Sequence, residues 1–230
     1  MRSSWRVFGL LLLALTVGGQ ACAEKLRPRD DEVPIDDETD AAVSEEDPNG
    51  VTASGLPNRS GKFKNAEKSD GSILTQVDAT EETDWQQFDL DTGSSSEDEH
   101  AWDLAFSRFK IRTNGGVSGP GGVYVAALEG QSFDELTKAP DEGFAADRED
   151  SEDDTDTDPD NVFNSGDEDW YEYDVMHHEL SPKDITYVIA STEERFFKFR
   201  IDAYYDSAGT PAKLKIHWRE IDAPDSGFPP

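Results

Sequence analysis

Two stretches near the C-terminus alternate apolar and polar residues, and this alternation constrains the fold more than any other feature of the chain. They are RFFKFRIDAYY (195–205) and KLKIHWR (213–219). The apolar members of the alternation are Phe197, Phe199, Ile201, Ala203, Leu214, Ile216 and Trp218. A period of two residues is that of a β-strand, whose successive side chains point to opposite faces. With ITYVIAS (185–191), the two stretches predict a three-stranded antiparallel meander that packs one face and leaves the other in water.

Further strands and a single short helix are predicted upstream of the meander. The strand candidates are WDLAFSRFKIRT (102–113), GVYVAALEG (122–130) and DWYEYDVM (169–176). Inside residues 102–113 the alternation shifts by one residue, which is the effect of a β-bulge. Ser132 and Glu135 form a capping box, so residues 131–138 predict a short helix that stops at Ala139-Pro140. Because no helix is long enough for a parallel crossover, we predict an all-β domain, a mostly antiparallel β-sandwich or open barrel.

The N-terminus is typical of a secretory signal peptide, which predicts an exported protein. Two arginines precede an uncharged apolar run, VFGLLLLALTV (7–17), that is too short to span a bilayer. Small residues then lead to Cys22, the only cysteine of the chain. We predict that residues 1–21 are removed and that Cys22 carries a lipid; ordinary cleavage that leaves a free thiol is the alternative. Ala23 after the cysteine favours the outer membrane, on its periplasmic or its cell-surface face.

Charge and composition divide the remainder of the chain. The formal net charge of −30 excludes nucleic acid as a partner, because binding it relies on cationic side chains. Residues 22–72 are acidic and nearly devoid of aromatics, so they predict a disordered tether. We expect residues 73–222 to form the β domain, with residues 141–161 as a mobile acidic surface loop. Residues 223–230 are expected to be a C-terminal tail.

No motif in the sequence predicts an enzyme. The glycine-rich segment TNGGVSGPGG (113–122) lacks the lysine and the following helix of a phosphate-binding loop, so it predicts a tight turn between strands. Neither G-x-S-x-G nor H-E-x-x-H occurs in the sequence, and the one cysteine is assigned to the anchor. The sequence therefore predicts a protein that is not an enzyme.

Alternating aspartates in the acidic loop raise the question of calcium. They are Asp154, Asp156, Asp158 and Asp160. Aligned from Asp156 as an EF-hand loop, the segment has Asn161 where the sharp turn needs glycine, and flanking helices are missing. The sequence favours a solvated acidic loop and leaves weak calcium binding open.

Histidines are the other candidate ligands. His100 lies in an acidic loop, and His217 is expected to be exposed on the polar face of its strand. Met176, His177 and His178 cluster between two predicted strands. Methionine and histidine are the usual axial ligands of a haem that serves in binding or electron transfer. Two surface histidines in a turn are the alternative.

Residues 102–122 (WDLAFSRFKIRTNGGVSGPGG), with WYEYD, YVIASTEERFFKFRIDAYYD and KIHW further on, resemble the HmuY family. The resemblance covers residues 76–219, where aromatic, glycine and loop positions match in order. Family members are similar in being exported lipoproteins with a mostly β fold, and the best known capture haem for uptake at the outer membrane. The resemblance therefore implies haem as the ligand and an outer-membrane haem receptor as a partner.

The resemblance also implies axial ligands on both faces of the porphyrin. The candidates are Met176, His177, His178 and His100. Adjacent histidines on an extended backbone point apart, so the second ligand stays unassigned. Candidate contacts for the anionic haem propionates are Arg108, Lys110, Arg112 and Arg200; an ordinary wet sheet face is the alternative. The alternative function is an HmuY-like lipoprotein without haem that acts as an envelope or protein-interaction module, with or without a response to calcium.

Overall fold

The computed structural model describes residues 52–53, 61–151, 158–164 and 169–229 of the 230-residue chain. All of them belong to one unit, residues 44–230. The predicted signal peptide, Cys22, Asp154 and Asp156 lie outside the described residues, so the predictions made for them are not tested by the fold.

The described residues form β-strands and no helix, which confirms the all-β prediction. The strands are β1 (Thr52–Ala53), β2 (Phe63–Glu67), β3 (Ile73–Asp78), β4 (Gln86–Asp89), β5 (Ser94–Ser95), β6 (Leu104–Ser107), β7 (Lys110–Thr113), β8 (Tyr124–Glu129), β9 (Tyr171–Asp174), β10 (Glu179–Pro182), β11 (Ile185–Ala190), β12 (Phe196–Ala203) and β13 (Lys213–Ile221). Within this part of the chain, no helix exists that would be long and apolar enough to cross a bilayer.

Three antiparallel sheets organise the strands. The large sheet has the order β1-β2-β3-β13-β12-β11-β8, and the small sheet has the order β5-β4-β6-β7. Strands β9 and β10 pair only with each other. The predicted meander is confirmed, because β11 pairs with β12 and β12 with β13, all antiparallel.

Aromatic side chains from the large and small sheets fill one core between them. Phe63 of β2 lies 4.7 Å from Phe88 of β4, measured between ring centroids, and Phe88 lies 5.9 Å from Trp218 of β13. Phe106 of β6 and Phe199 of β12 are fully buried in the same cluster. Alternating apolar residues on both sheets thus meet in a sandwich, as the period of two predicts.

The strand with a bulge predicted at residues 102–113 is instead the hairpin of β6 and β7. Ser107 pairs with Lys110, so Arg108 and Phe109 form a two-residue turn. Arg108 has a φ of 56°, and two-residue hairpin turns require a positive φ at their first central residue. Phe106 of β6 pairs with Ile111 of β7, so the inward side chains have even numbers before the turn and odd numbers after it. This change explains the shifted alternation. The large sheet has a register shift of its own in β12, between Ile201 and Ala203.

The short helix predicted at residues 131–138 is a single hydrogen-bonded turn, in which the Leu136 amide donates to the Ser132 carbonyl at 3.2 Å. Lys198 Nζ donates to the carbonyls of Phe133 (2.7 Å) and Leu136 (3.0 Å), groups that would continue a helix. The Ala139 amide donates to Asp222 at the end of β13 instead of continuing the turn. Tertiary hydrogen bonds have therefore replaced helical ones.

The second face of the meander is wet only in part. His217 and Lys198 point away from the core, yet they are 3% and 5% exposed. Phe133 covers both, with its ring 4.1 Å from the His217 ring and 4.5 Å from Lys198 Nζ. The prediction that His217 is exposed is therefore wrong, because the segment after β8 folds back over the sheet. Lys215 and Arg219 on the same face are exposed, as predicted.

The folded part begins earlier than residue 73. Phe63–Glu67, within the predicted tether, forms β2 and pairs with β3. Phe63 is 1% exposed. The Phe63 ring packs against Phe88, and Val77, its partner on β3, also lines the core. This aromatic side chain therefore anchors β2 to the sheet.

The described parts of the predicted acidic loop and C-terminal tail pack against the sheets. Asp147 is buried and accepts a hydrogen bond from Thr113 Oγ1 at 2.6 Å. Gly116, in the glycine-rich turn between β7 and β8, has a φ of 58°, and an added Cβ would lie 1.8 Å from the Asp147 carbonyl oxygen. In the tail, the Phe228 ring lies 5.9 Å from the Phe196 ring. These segments are parts of the domain rather than free loops.

Candidate ligand-binding site

Strands β9 and β10 form a hairpin whose loop brings Met176, His177 and His178 together. Asp174 pairs with Glu179, and the His178 amide donates to the Asp174 carbonyl at 2.7 Å, closing a four-residue loop of residues 175–178. His178 has a φ of 57°, so the loop leaves the extended conformation in which neighbouring side chains point apart.

The hairpin exposes apolar surface. Among the described residues, four large hydrophobic side chains are markedly exposed, and three belong to this hairpin: Met176 (85%), Val175 (70%) and Tyr173 (50%). Both histidines of the loop are exposed as well. Clustered exposed apolar groups mark ligand or partner sites more often than single ones do.

Asp174 organises the loop and orients His177. Its Oδ1 accepts hydrogen bonds from the amides of Met176 (2.7 Å) and His177 (3.2 Å). Its Oδ2 lies 2.6 Å from His177 Nδ1. These bonds, the one from the His177 side chain first, lower the pKa of Asp174. An ionised carboxylate at Nδ1 directs the imidazole proton to that nitrogen and leaves the lone pair of Nε2 available to a metal.

His178 is held in a similar way by Tyr173. Its Nδ1 forms a hydrogen bond with the Tyr173 hydroxyl, and the two rings lie 6.0 Å apart. Each histidine of the loop therefore has an oxygen partner at Nδ1. Two imidazole Nε2 atoms and the thioether of Met176 are donors that suit iron, copper or zinc.

The base of the hairpin is fixed to the core. The Tyr171 ring lies 5.8 Å from the Phe109 ring, and Trp170 Nε1 donates to the Phe109 carbonyl at 2.8 Å. On the other strand, the Leu180 amide donates to the Tyr205 hydroxyl at 3.1 Å. A rigid base with an exposed loop presents the donors without burying them.

A groove of about 700 Å³ lies on the outer face of β2, β3 and β13, and Tyr205 lines it. Lys64 and Lys215 flank Gln76 across the three strands. Lys213, also in the groove, pairs with Asp78 at 2.6 Å. Because Asp206 also lines the groove and Lys213 is paired, Lys64 and Lys215 leave a small local excess of positive charge, which suits an anionic group. Because Tyr205 also contacts β10, the groove adjoins the hairpin.

His100 lies away from the loop. It is exposed beside Glu99, 3.5 Å from its carboxylate, and precedes β6. Phe109, which contacts the base of the hairpin, lies at the opposite end of β6 and β7. The structure therefore brings Met176, His177 and His178 together and does not bring His100 to them.

The four basic residues proposed for haem propionates do not share one face. Arg112 lies over the rings of Trp85 (4.4 Å) and Trp102 (5.5 Å), and burial lowers its pKa. Arg200 donates to Asp202 at 2.7 Å on the large sheet. Lys110 and Arg112 share a face of β7, whereas Arg108 lies in the β6–β7 turn and Arg200 lies on β12 of the large sheet.

The other two basic candidates flank the β6–β7 turn. Lys110 pairs with Asp158 of the acidic loop. Arg108 is half-buried in the turn, and its charge acts on Tyr204, which packs against Trp170. Of the four, Arg108 is the one beside the base of the hairpin.

The two described aspartates of the predicted calcium loop have protein partners. Asp158 contacts Lys110, and Asp160 Oδ2 accepts a hydrogen bond from Ser151 Oγ at 2.6 Å. Calcium binding by this loop stays a prediction.

The sequence did not reveal the partners of the loop histidines. Asp174 and Tyr173 precede them within the WYEYD segment, and an aspartate at the start of a turn is a signal for such capping. Lys64 was missed because it lies in the segment assigned to the tether.

An all-β fold of three sheets with histidine and methionine side chains in an exposed loop is typical of a binding protein. The chain belongs to the HmuY family: the family model described as HmuY protein matches residues 81–218. No curated protein sequence matches the chain.

Solved structures from Bacteroides fragilis and Tannerella forsythia share the fold. A Bacteroides fragilis chain named as a lipoprotein is 21% identical, with a TM-score of 0.52 over 68% of this chain and 93% of its own. The apo HmuY analog of Tannerella forsythia is 14% identical, with a TM-score of 0.50 over 65% of this chain and 95% of its own. A Bacteroides vulgatus chain whose name describes an HmuY-like haem-binding protein is 17% identical, with a TM-score of 0.47 over 64% and 90%.

Proposed function

We propose that this protein binds haem through the loop of residues 175–178 and presents it for uptake at the outer membrane. Membership of the HmuY family supports haem as the cargo. The observation that carries the proposal is the state of the two loop histidines, whose Nδ1 atoms are occupied by Asp174 and Tyr173. The Asp174 carboxylate leaves Nε2 of His177 for iron, and Nε2 of His178 is available when the Tyr173 hydroxyl accepts the Nδ1 proton.

The residues of the loop would act on different parts of the haem. A histidine Nε2 binds the iron, while Val175 and Met176 supply apolar contact to the porphyrin, and the Met176 thioether is a second type of iron ligand. The groove lysines and Arg108 lie beside the hairpin and supply positive charge for the propionates. An exposed loop holds the haem from one side, which leaves the other side open to a receptor.

A hemin titration followed by absorbance tests the proposal. We expect a Soret band that saturates as hemin is added to the purified protein. His177→Ala, His178→Ala and Met176→Ala are compared with His100→Ala, a matched change of an exposed histidine outside the loop. Loss of the iron ligand should weaken binding by roughly tenfold or more, and His100→Ala should not.

Unchanged hemin spectra, or equal affinity in all four variants, would contradict haem binding by this loop. The first result would favour the alternative function, a lipoprotein of the same fold that uses the exposed hairpin and groove for protein or envelope contacts. Circular dichroism of each variant checks that the sheets remain folded.

We also propose that the protein is exported and anchored to the outer membrane through lipidated Cys22. The apolar run before the only cysteine supports this, as does the name of the Bacteroides fragilis protein. Wild-type protein should sediment with membranes, and Cys22→Ser should move it to the soluble fraction. Equal sedimentation of both would argue against the lipid.

A further inference from the structure

Three carboxylates that the haem proposal does not use lie together where the small sheet meets the β11–β12 turn. Asp89 ends β4, Asp91 lies in the β4–β5 turn, and Asp103 immediately precedes β6. One oxygen from each lies within 4.8 Å of the others. We call Asp89, Asp91 and Asp103 the aspartate cluster.

Hydrogen bonds fix two members of the aspartate cluster. Asp103 is fully buried and accepts hydrogen bonds from the amides of Leu90 (2.7 Å) and Thr192 (2.8 Å). Asp89 accepts from the Thr92 amide (3.0 Å) and the Thr92 hydroxyl (2.9 Å). Donors from both sheets therefore hold these carboxylates in place without filling their remaining lone pairs.

Asp91 has an oxygen without a partner. Its side chain is 1% exposed, and its Oδ1 accepts from Ser191 Oγ (3.1 Å) and Arg195 Nη1 (3.2 Å). Its Oδ2 is buried and has no hydrogen-bond partner among the described residues. A buried carboxylate oxygen in this state is unfavourable unless a cation or a donor meets it.

The charges of the aspartate cluster do not balance. Three carboxylates face one guanidinium, Arg195, which also pairs with Glu220. A bound divalent cation would balance the carboxylate charge that Arg195 leaves unpaired.

We propose that Asp89, Asp91 and Asp103 bind one calcium ion. Oxygen donors alone select a hard cation. Calcium binds oxygens at about 2.3–2.6 Å, so ligand oxygens on opposite sides of the ion lie up to roughly 5 Å apart. Magnesium keeps several waters, which a buried cluster does not admit, so calcium is the better fit.

The ion would also have neutral donors and a structural effect. The Thr92 hydroxyl contacts Asp89, and Ser94, the strand partner of Asp89, has its Oγ 2.9 Å from Thr92 Oγ1. Because Asp103 and Asp91 contact residues 191–195, the ion would join the β4–β5 turn, the start of β6 and the β11–β12 turn. Calcium should therefore stabilise the fold as well as bind.

Calcium titration of the chelator-stripped protein tests the proposal, by calorimetry and by melting temperature. We expect one ion per chain, a rise in melting temperature with CaCl₂, and affinity for MgCl₂ that is lower by roughly tenfold or more. Asp91→Asn should abolish the rise, and without calcium it should melt no lower than wild type, since it removes like-charge repulsion. Asp134→Asn, the same change at an exposed site, should keep the rise.

Two further variants keep the proposal falsifiable. Asp89→Asn gives a second change within the cluster in case Asp91→Asn does not fold. A double variant, Asp154→Asn with Asp156→Asn, separates the cluster from the acidic loop, and its calcium response should equal that of wild type. The proposal is overturned if wild type shows neither heat nor a melting shift, if Asp91→Asn and Asp89→Asn keep the shift, or if the double variant loses it.

Discussion

His217 lies under the Phe133 ring in the outer face of the large sheet, with Nε2 2.7 Å from Ser72 Oγ. Burial is the main cause that lowers its pKa to about 4 from 6.5. The charged groups around it are Asp202, Lys68, Arg200 and Asp70, of which the two carboxylates oppose the shift and the two cations add to it. The folded protein therefore holds a neutral imidazole at the centre of this face.

We predict that the stability of the fold falls as the pH falls from about 6.5 to about 4. Above this window His217 is neutral in both states, and within it only the unfolded chain binds the proton. The free energy of unfolding should lose up to about 1.4 kcal/mol for each pH unit from this group. Urea unfolding at several pH values measures the slope.

The matched comparison for this prediction is His217→Gln against His100→Ala. His217→Gln should flatten the pH dependence within the window, whereas His100→Ala should leave it unchanged. An identical slope in wild type and His217→Gln would show that other groups cause the acid sensitivity.

Among the elements, the β9–β10 hairpin is the one in which a substitution should change hemin binding with little effect on the stability of the whole domain. Among the described residues, the hydrogen bonds of the Asp174 side chain stay within the hairpin, at Met176 and His177. Asp174→Ala removes the side-chain bonds, so we predict roughly tenfold weaker hemin binding, typical of a lost partner of a metal-binding histidine. Global stability should fall by less than about 1 kcal/mol, because the base of the hairpin is untouched.

Asp98→Ala is the control for this prediction, since Asp98 is exposed and accepts a bond within its own turn, from the His100 amide at 3.0 Å, away from the hairpin and the groove. Hemin titration and urea unfolding of both variants give the two quantities. Full hemin affinity in Asp174→Ala would show that the orientation of His177 does not matter for binding.

Strands with alternating side chains were predictable because their pattern is local, and β12 and β13 lie where the alternation places them. Strands β8 and β11 lie within the apolar segments that were predicted as strands. Two other elements were predicted wrongly, because the local pattern alone did not determine their structure. The turn at Arg108 shifts the alternation as a bulge does, and no glycine or asparagine marks it. The capping box at Ser132 favours a helix, but Lys198, which is distant in sequence, donates hydrogen bonds to the carbonyls of Phe133 and Leu136.

The same distinction applies to the sites: residues close in sequence were found, and residues brought together only by the fold were not. Met176, His177 and His178 were found because they are neighbours in sequence. The aspartate cluster was not, since Asp103 reaches Asp89 and Asp91 only through the pairing of β4 with β6. The placement of Arg112 and Arg200 on different sheets likewise follows from the topology and not from the local alternation.

For the whole molecule, the position of β2 decides where the domain begins. Phe63 of β2 lies 4.7 Å from the Phe88 ring and 6.4 Å from the Phe106 ring, so β2 contributes to the core between both sheets. Without β2, the backbone groups of β3 on that side would lose their partners and form an open edge. Residues 61–72 therefore belong to the domain rather than to a tether.

We predict that a chain starting at Gly61 unfolds at a clearly higher urea concentration than one starting at Ile73. The shorter chain loses the burial of Phe63, worth roughly 3–5 kcal/mol for a phenylalanine in a core, in addition to the pairing of β2 with β3. Phe63→Ala in the longer chain isolates the first contribution and should give an intermediate midpoint. Equal midpoints for the two chains would place the start of the domain at residue 73, and a lower midpoint for Phe63→Ala than for the shorter chain would mean that β2 without its aromatic side chain disrupts the sheet.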